Sequence, residues 1–222
     1  MPYVGGRLIR LFAAAAIAMV ACSLAADAGV DGPLATTLYV RPAGGEERLI
    51  SEIARAASLP IGCEVSSEPQ RERVGSSTLP SRTFRQALND WMRLDPRYEQ
   101  RDVGGIAVVR PRRAWGDRRD VLNQRVGPIE WRDVNRLEFL LRVTGLVGQR
   151  LDDDAARRDL GPRFSVVITG GSVLDVLNAG TRAAGTFAWV VESSAENIRV
   201  TALPYAPDSD GGLSRLSVRV RR

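Results

Sequence analysis

The chain has 222 residues, 44% of them hydrophobic and 26% charged, so a packed core is expected and wholesale disorder is excluded. It contains no histidine and no lysine, so all 31 of its basic residues are arginine. These absences exclude a histidine general base, histidine metal ligands, a lysine Schiff base and a phosphate-loop lysine.

Residues 1–28 are predicted to form a signal peptide. Two arginines precede an unbroken apolar run at 11–21, which is short for a membrane span but typical of a signal peptide. Two processing routes are open. The Ala-Asp-Ala sequence at 26–28 fits ordinary secretion, whereas residues 19–22 resemble a bacterial lipobox that would be cleaved before Cys22 and lipidate it. Both routes predict export.

The exported part is only mildly basic. The formal net charge of the whole chain is +5, and removal of residues 1–21 with their two arginines lowers it to +3. The remaining arginines alternate with acidic residues, which argues against a nucleic-acid-binding stripe. When Cys22 is removed with the leader, Cys63 has no partner for an intramolecular disulfide.

The first half of the sequence predicts two helices and several strands. The spacing of Ile50, Ile53, Ala54 and Ala57 is that of one helix face, and Phe84 to Trp91 repeats it. The predicted elements are a strand from 38, a helix over 46–58, a half-buried strand at Ile61, Cys63 and Val65, a helix capped by Ser81, and a hairpin over 98–110 around Gly104-Gly105. Residues 111–119 form a polar linker.

The second half predicts the same kinds of element. Ser172 and Asp175 form a capping-box pattern that opens a helix with Val173, Val176, Leu177 and Gly180 facing inward. The other predicted elements are a helix capped by Asp133 with Val134, Leu137 and Leu141 on one face and its end at Gly145, a strand at 164–168, a hairpin over 186–203, and a final strand at 216–221.

An internal repeat relates the two halves. An offset of 89 aligns Phe84 with Val173 and Leu88 with Leu177, and Leu59 is matched to Leu146 after the preceding helices. We therefore predict an α+β fold of two tandem modules, each a short mixed sheet with two helices. The expected boundaries are 38–112 for the first copy, 120–204 for the second, divergent copy, and 205–222 for a linker and C-terminal strand.

The first copy resembles the secretin and TonB short N-terminal domain family. The resemblance is carried by residues 48–61, by Leu79-Pro80-Ser81, by Ala87-Leu88 with Trp91-Met92, and by residues 105–108. The second copy resembles the family through residues 143–146 and Val176-Leu177. The resemblance implies a small α+β fold used for protein–protein contacts in the periplasm, and it implies no reaction.

The functional expectation is a non-enzymatic interaction protein of the cell envelope. Its expected location is the periplasm, with an outer-membrane anchor if Cys22 is lipidated and no other membrane contact. The resemblance implies an accessory role to a secretin or TonB-dependent system, so the expected partner is an outer-membrane channel or receptor component and not a nucleic acid. The alternative is binding of an acidic envelope polymer or lipid surface by Arg112, Arg113, Arg118 and Arg119.

No catalytic, cofactor or metal residues are predicted. Cys63 lies on an apolar strand without a histidine to activate it, so an inert buried thiol is favoured over a reactive one. The acidic run 152–154 fits an exposed helix start better than a cation site, and residues 208–211 lack the glutamate that a calcium loop needs at its twelfth position. Gly170-Gly171-Ser172 fits a tight turn better than an anion cradle.

The C-terminal strand is the candidate interaction segment. Two alternatives are open: it pairs with a partner's sheet, or it folds back to cover an edge of this chain's own sheet. Its residues are Leu216, Val218, Arg219, Val220 and Arg221.

Overall fold

The structure is a computed structural model that describes residues 33–40, 46–65, 79–152, 162–205 and 215–221. Its helices and strands confirm the predicted α+β class. The helices are α1 (Glu46–Ala57), α2 (Phe84–Leu94), α3 (Arg136–Val147) and α4 (Val173–Ala184). The strands are β1 (Pro33–Val40), β2 (Ile61–Val65), β3 (Leu79–Thr83), β4 (Tyr98–Val103), β5 (Ile106–Pro111), β6 (Arg125–Val126), β7 (Ile129–Val134), β8 (Gln149–Asp152), β9 (Phe164–Ile168), β10 (Gly171–Ser172), β11 (Phe187–Ser193), β12 (Asn197–Pro204) and β13 (Leu216–Arg221).

One seven-stranded sheet joins the two copies of the repeat. Its order is β4-β5-β2-β11-β12-β13-β8. The junction is the parallel pairing of β2, from the first copy, with β11, from the second. Gly62 lies at this junction, where a Cβ atom would come within 2.2 Å of the Trp189 ring. The shared sheet favours a fused core, and independent folding of each copy stays a prediction.

The helices lie on opposite faces of this sheet. Ala107 and Val109 of β5 pack in one core with α1 and α2, whereas Ile106 and Val108 pack in the other core with α3 and α4. The central strands are therefore buried on both faces. This corrects the half-buried interpretation of β2, because Gly62 and Glu64 are buried together with Ile61 and Cys63.

Two small antiparallel ribbons complete the two copies. β1 pairs with β3, and β7 pairs with β9, with β6 and β10 extending the second ribbon. In both copies the N-cap residue of the second helix lies in the ribbon: Thr83 faces Pro33, and Ser172 faces Arg125. The two halves are therefore similar in the strand pairing of these N-cap residues as well as in sequence.

The first helices of the two copies align at an offset of 90. The buried residues of α1 are Leu49, Ile50, Ile53 and Ala54, and those of α3 include Phe139, Leu140, Val143 and Thr144. The predicted match of Leu59 with Leu146 was wrong, because an alignment of these two residues does not align the buried residues of α1 with those of α3.

The N-cap of α2 is Thr83 and not Ser81. The Thr83 hydroxyl accepts a hydrogen bond from the Gln86 N–H at 3.2 Å, and the Gln86 side chain accepts one from the Thr83 N–H. Ser81 lies in β3, and its hydroxyl donates to the buried Asp90 carboxylate at 2.9 Å. The prediction found the correct region of the chain but missed the capping box.

The N-cap of α3 is Asn135 and not Asp133. The Asn135 side chain accepts from the Glu138 N–H at 2.8 Å, whereas Asp133 belongs to β7 and has a positive φ of 49°. The buried face of α3 is consequently centred on Phe139 and Leu140, and the helix continues through Gly145 to Val147. The predicted face and end of this helix were wrong.

The C-terminal strand β13 lies inside the sheet. It pairs with β12 along one edge and with β8 along the other, and its apolar side chains are buried. β12 pairs with residues Leu216–Arg221 and β8 with Arg219–Arg221, and an interaction role for this strand stays a prediction. The fold-back alternative describes the observed placement of Leu216, Val218, Arg219, Val220 and Arg221.

Candidate binding cleft

A cleft of about 360 Å³ opens at one end of the shared sheet. β5, β2 and β11 are adjacent and parallel, so their carboxyl ends meet there. In open α/β sheets, ligands bind outside the carboxyl ends of the strands. Strands from both copies therefore build the cleft, and among the residues that line it are Glu64, Arg113, Asp117, Arg119, Asp120 and Ser194.

The Arg110 side chain contacts two residues that line the cleft, Glu64 and Asp120. It is 0% exposed, and all three of its guanidinium nitrogens are hydrogen-bonded. Nε lies 2.6 Å from Glu64 Oε2, Nη2 lies 2.7 Å from Asp120 Oδ1, and Nη1 lies 2.9 Å from Asn123 Oδ1. A buried charge is tolerated when it is paired and hydrogen-bonded in this way.

The chain after β5 folds around this guanidinium. Pro111 ends the strand, and a 3₁₀ turn over Arg112–Trp115 places the Trp115 ring centroid 5.0 Å from the Arg110 guanidinium carbon. Asp120 then caps a second 3₁₀ turn by accepting from the Leu122 N–H at 2.8 Å. The Arg110 side chain thus holds the segment that connects the two copies against the sheet.

Glu64 has a pKa raised to about 7. Burial is the main cause, and the hydrogen bond and negative charge of Asp120 raise the pKa further, while the Arg110 guanidinium lowers it. Glu64 can therefore gain or lose a proton near neutral pH. Because Arg110 is fully buried and paired with internal partners, it is not available to a ligand.

The rim of the cleft carries both signs of charge. Arg113, Asp117 and Arg119 are exposed there, beside the turn of the β11–β12 hairpin. A second cleft of about 390 Å³ shares Val65, Ser193 and Ser194 with the first. It adds the Glu192–Arg199 ion pair and Arg219, so a polar groove continues around this end of the sheet.

Two of the linker arginines predicted to bind acidic material lie at this rim. Arg113 and Arg119 line the first cleft. Arg112 and Arg118 are also exposed, and Arg112 Nε donates to the Pro96 carbonyl at 2.9 Å. The structure therefore brings half of the predicted arginine group to the candidate site.

Cys63 is not among the residues that line the cleft, and it is fully buried. Burial is the largest cause that raises the pKa of its thiol well above the ordinary value, and neighbouring carboxylates add to it. A thiol in this environment is a packing residue, as the sequence favoured.

The Gly170-Gly171-Ser172 turn holds its own carboxylate. Asp175 Oδ2 accepts from the Ser172 N–H at 2.7 Å and from the Ser172 hydroxyl at 2.8 Å, and it occupies the position that an anion would need. The predicted capping box is confirmed.

The remaining candidate segments lie mostly outside the described residues. Asp152 ends β8, whereas the rest of the acidic run, residues 208–211 and Cys22 are not described. Within the described ranges, no group of three or more metal-binding side chains is positioned to hold an ion. No described helix is long and apolar enough to cross a membrane.

Sequence reasoning missed Glu64, Arg110 and Asp120. One signal was present, because the unbroken apolar run Ile106–Val109 is the pattern of a strand buried on both faces. An arginine that follows directly on such a strand is a candidate for burial with acidic partners. Those partners are 46 and 10 residues away along the chain, so local patterns could not name them.

No family model, curated protein or solved structure matches this chain.

Proposed function

We propose that this protein is a non-enzymatic interaction protein of the cell envelope that binds a polypeptide segment of another envelope protein in the cleft. The observation that carries the proposal is the position of the cleft, at the carboxyl ends of parallel strands from both copies. The charged rim is exposed, whereas the buried Arg110 is paired with Glu64 and Asp120. These features suit recognition better than turnover of a substrate.

The mixed charges favour a polypeptide ligand. Arg113 and Arg119 alternate with Asp117 at the rim, and a partner with complementary charges would gain register and specificity from this pattern. A uniformly anionic polymer would face the acidic members of the rim as well as the basic ones.

The resemblance to the secretin and TonB short N-terminal domain family supports the same class of function. Each copy has the order that the resemblance implies: a helix, a short strand, a second helix and a final strand. Together with the predicted signal peptide, this order supports a periplasmic location and an outer-membrane channel or receptor component as the partner.

Site-specific photo-crosslinking in cells that produce the full-length chain tests the proposal. A photoreactive amino acid at Ala195, which lines the cleft, should cross-link to one envelope protein. The same amino acid at Val167, which is 67% exposed on the distant ribbon, is the matched control. Charge reversal by Arg113→Glu and Arg119→Glu should abolish the Ala195 product. Equal labelling from both positions would contradict the proposal.

The second candidate function is binding of an acidic envelope polymer or lipid surface. The exposure of all four linker arginines favours it. Binding of this kind depends on attraction between exposed charges, which salt screens. Binding to purified anionic vesicles should therefore weaken steeply between low and high salt. Salt-insensitive capture of a protein partner at the cleft would favour the first function instead.

A further inference from the structure

β4 is an edge strand of the seven-stranded sheet. It pairs with β5 on one side, and no described strand pairs with its other side. The Arg112 N–H donates to the Arg97 carbonyl at 2.8 Å, so Arg97 and Arg112 form a hydrogen-bonded pair of this antiparallel ladder. Because bonded and non-bonded pairs alternate in antiparallel sheets, Gln100 and Asp102 direct their backbone N–H and C=O groups away from β5.

The side chains of this strand alternate in charge. Glu99 and Arg101 lie on the same face, and Arg101 Nε donates to Glu99 Oε1 at 2.9 Å. The Trp115 ring, with its centroid 4.6 Å from the Arg101 guanidinium carbon, also contacts this arginine. Charges on an edge strand disfavour indiscriminate pairing, so a strand that does pair here needs complementary charges.

We propose that two copies of this chain pair edge to edge through β4, in antiparallel orientation and centred on Gln100. In this register Gln100 exchanges both backbone hydrogen bonds with the same residue of the second copy. Glu99 then lies opposite Arg101 of the second copy in a non-hydrogen-bonded pair, where side chains approach most closely.

Neighbouring registers lack this complementarity. A pairing centred on Glu99 places the two Glu99 side chains opposite each other, and a pairing centred on Arg101 does the same for the two arginines. Among these three registers, only the one centred on Gln100 places opposite charges across the two-fold axis of a closed dimer. This inference does not depend on the cleft.

Disulfide trapping tests the register in the full-length chain with Cys22 replaced by serine. The native Cys63 is fully buried and does not interfere. In the proposed dimer the two residues 100 lie about 5.5 Å apart between Cα atoms, within disulfide reach. Gln100→Cys should therefore form a covalent dimer under mild oxidation. Asp102→Cys is the matched control, because its copies lie about 13 Å apart in this register. Equal rates for the two variants would overturn the proposal.

Charge exchange tests the specificity of the pairing without a cysteine. Glu99→Arg alone and Arg101→Glu alone should each weaken dimerisation by about tenfold in analytical ultracentrifugation. The double exchange Glu99→Arg with Arg101→Glu should restore it, because the opposite charges face each other again. A monomeric wild type, or a double variant no better than the single ones, would overturn the proposal. Loss of fold is monitored by the melting temperature of each variant.

Discussion

The two copies share an order of elements but use opposite faces of the sheet. α1 and α2 of the first copy cover one face, and α3 and α4 of the second copy cover the other. A lone copy would expose the second face of its own strands, such as Ile106 and Val108 of β5. Each copy therefore supplies the hydrophobic layer that the other lacks.

Large and small side chains are exchanged between equivalent helix positions of the two copies. At an offset of 89, Trp91 of α2 corresponds to Gly180 of α4, and at an offset of 90, Leu49 of α1 corresponds to Phe139 of α3. A Cβ atom on Gly180 would come within 2.1 Å of the Phe139 ring. The second copy therefore keeps a glycine where its larger partner ring needs the space, whereas the first copy combines a large tryptophan with a smaller leucine.

Equivalent polar positions have taken different roles. Asn178 of α4 is buried, accepts from Trp189 Nε1 at 3.0 Å and donates to the Val103 carbonyl of β4 at 3.1 Å. Its equivalent Asn89 in α2 is exposed. Buried polar side chains in the second copy thus connect it to the first.

Among the predicted changes, loss of a core leucine should lower the free energy of unfolding the most. Leu88 and Leu177 are equivalent and both are 0% exposed. Replacement of either by alanine should lower the free energy of unfolding by about 2–5 kcal/mol. In a shared sheet, either change should shift one common unfolding transition, measured by hydrogen exchange of peptides from both halves in increasing urea.

Independent modules would give a different result. Leu88→Ala would then destabilise only peptides of residues 46–111, and Leu177→Ala only those of the second copy. Separate transitions of this kind would rule out the fused core that the β2–β11 pairing favours.

Local patterns predicted most of the elements. Helix spacing located α1, α2 and α4, the capping box located the start of α4, and the paired glycines located the β4–β5 turn, where both have positive φ. Alternation also predicted β13. These features depend on residues within a few positions of each other, and so the sequence contains them directly.

The arrangement of the elements depends on distant residues. The depth of β2 could not be predicted, because the Trp189 ring that lies against Gly62 and the Arg110 side chain that pairs with Glu64 are both distant along the chain. The place of β13 between β12 and β8 depends on pairing with strands that are distant along the chain rather than on its own pattern. The cleft was missed for the same reason, since Glu64, Arg110 and Asp120 meet only after the sheet has formed.

Removal of the buried asparagine should have an intermediate effect. Asn178→Ala leaves the buried Trp189 N–H and the Val103 carbonyl without their partner, at a cost of about 1–3 kcal/mol in unfolding free energy. Asn89→Ala is the matched control at the equivalent exposed position, and it should change stability by less than about 0.5 kcal/mol. Urea denaturation of both variants measures the difference. Equal effects would show that the buried asparagine does not connect the copies energetically.

The last prediction concerns the pH dependence that Glu64 gives to the first copy. The second copy lacks this network: when Ile106 is aligned with Ile198, Arg110 corresponds to the buried Ala202. The pKa of Glu64 is about 7 in the folded chain, against an ordinary value of 4.5. Between these pH values the folded chain holds a proton that the unfolded chain has released, so the contribution of Glu64 to stability is complete below pH 4.5 and is lost as the pH rises through 7.

The melting temperature of the wild type should therefore fall, relative to that of Glu64→Gln, as the pH rises from about 5 to about 8. Glu99→Gln is the control, because the hydrogen bond from Arg101 lowers the pKa of the half-buried Glu99 and keeps it ionised over this range. If Glu64→Gln leaves the pH profile unchanged, Glu64 is ionised throughout, and the attraction of Arg110 outweighs burial and the charge of Asp120.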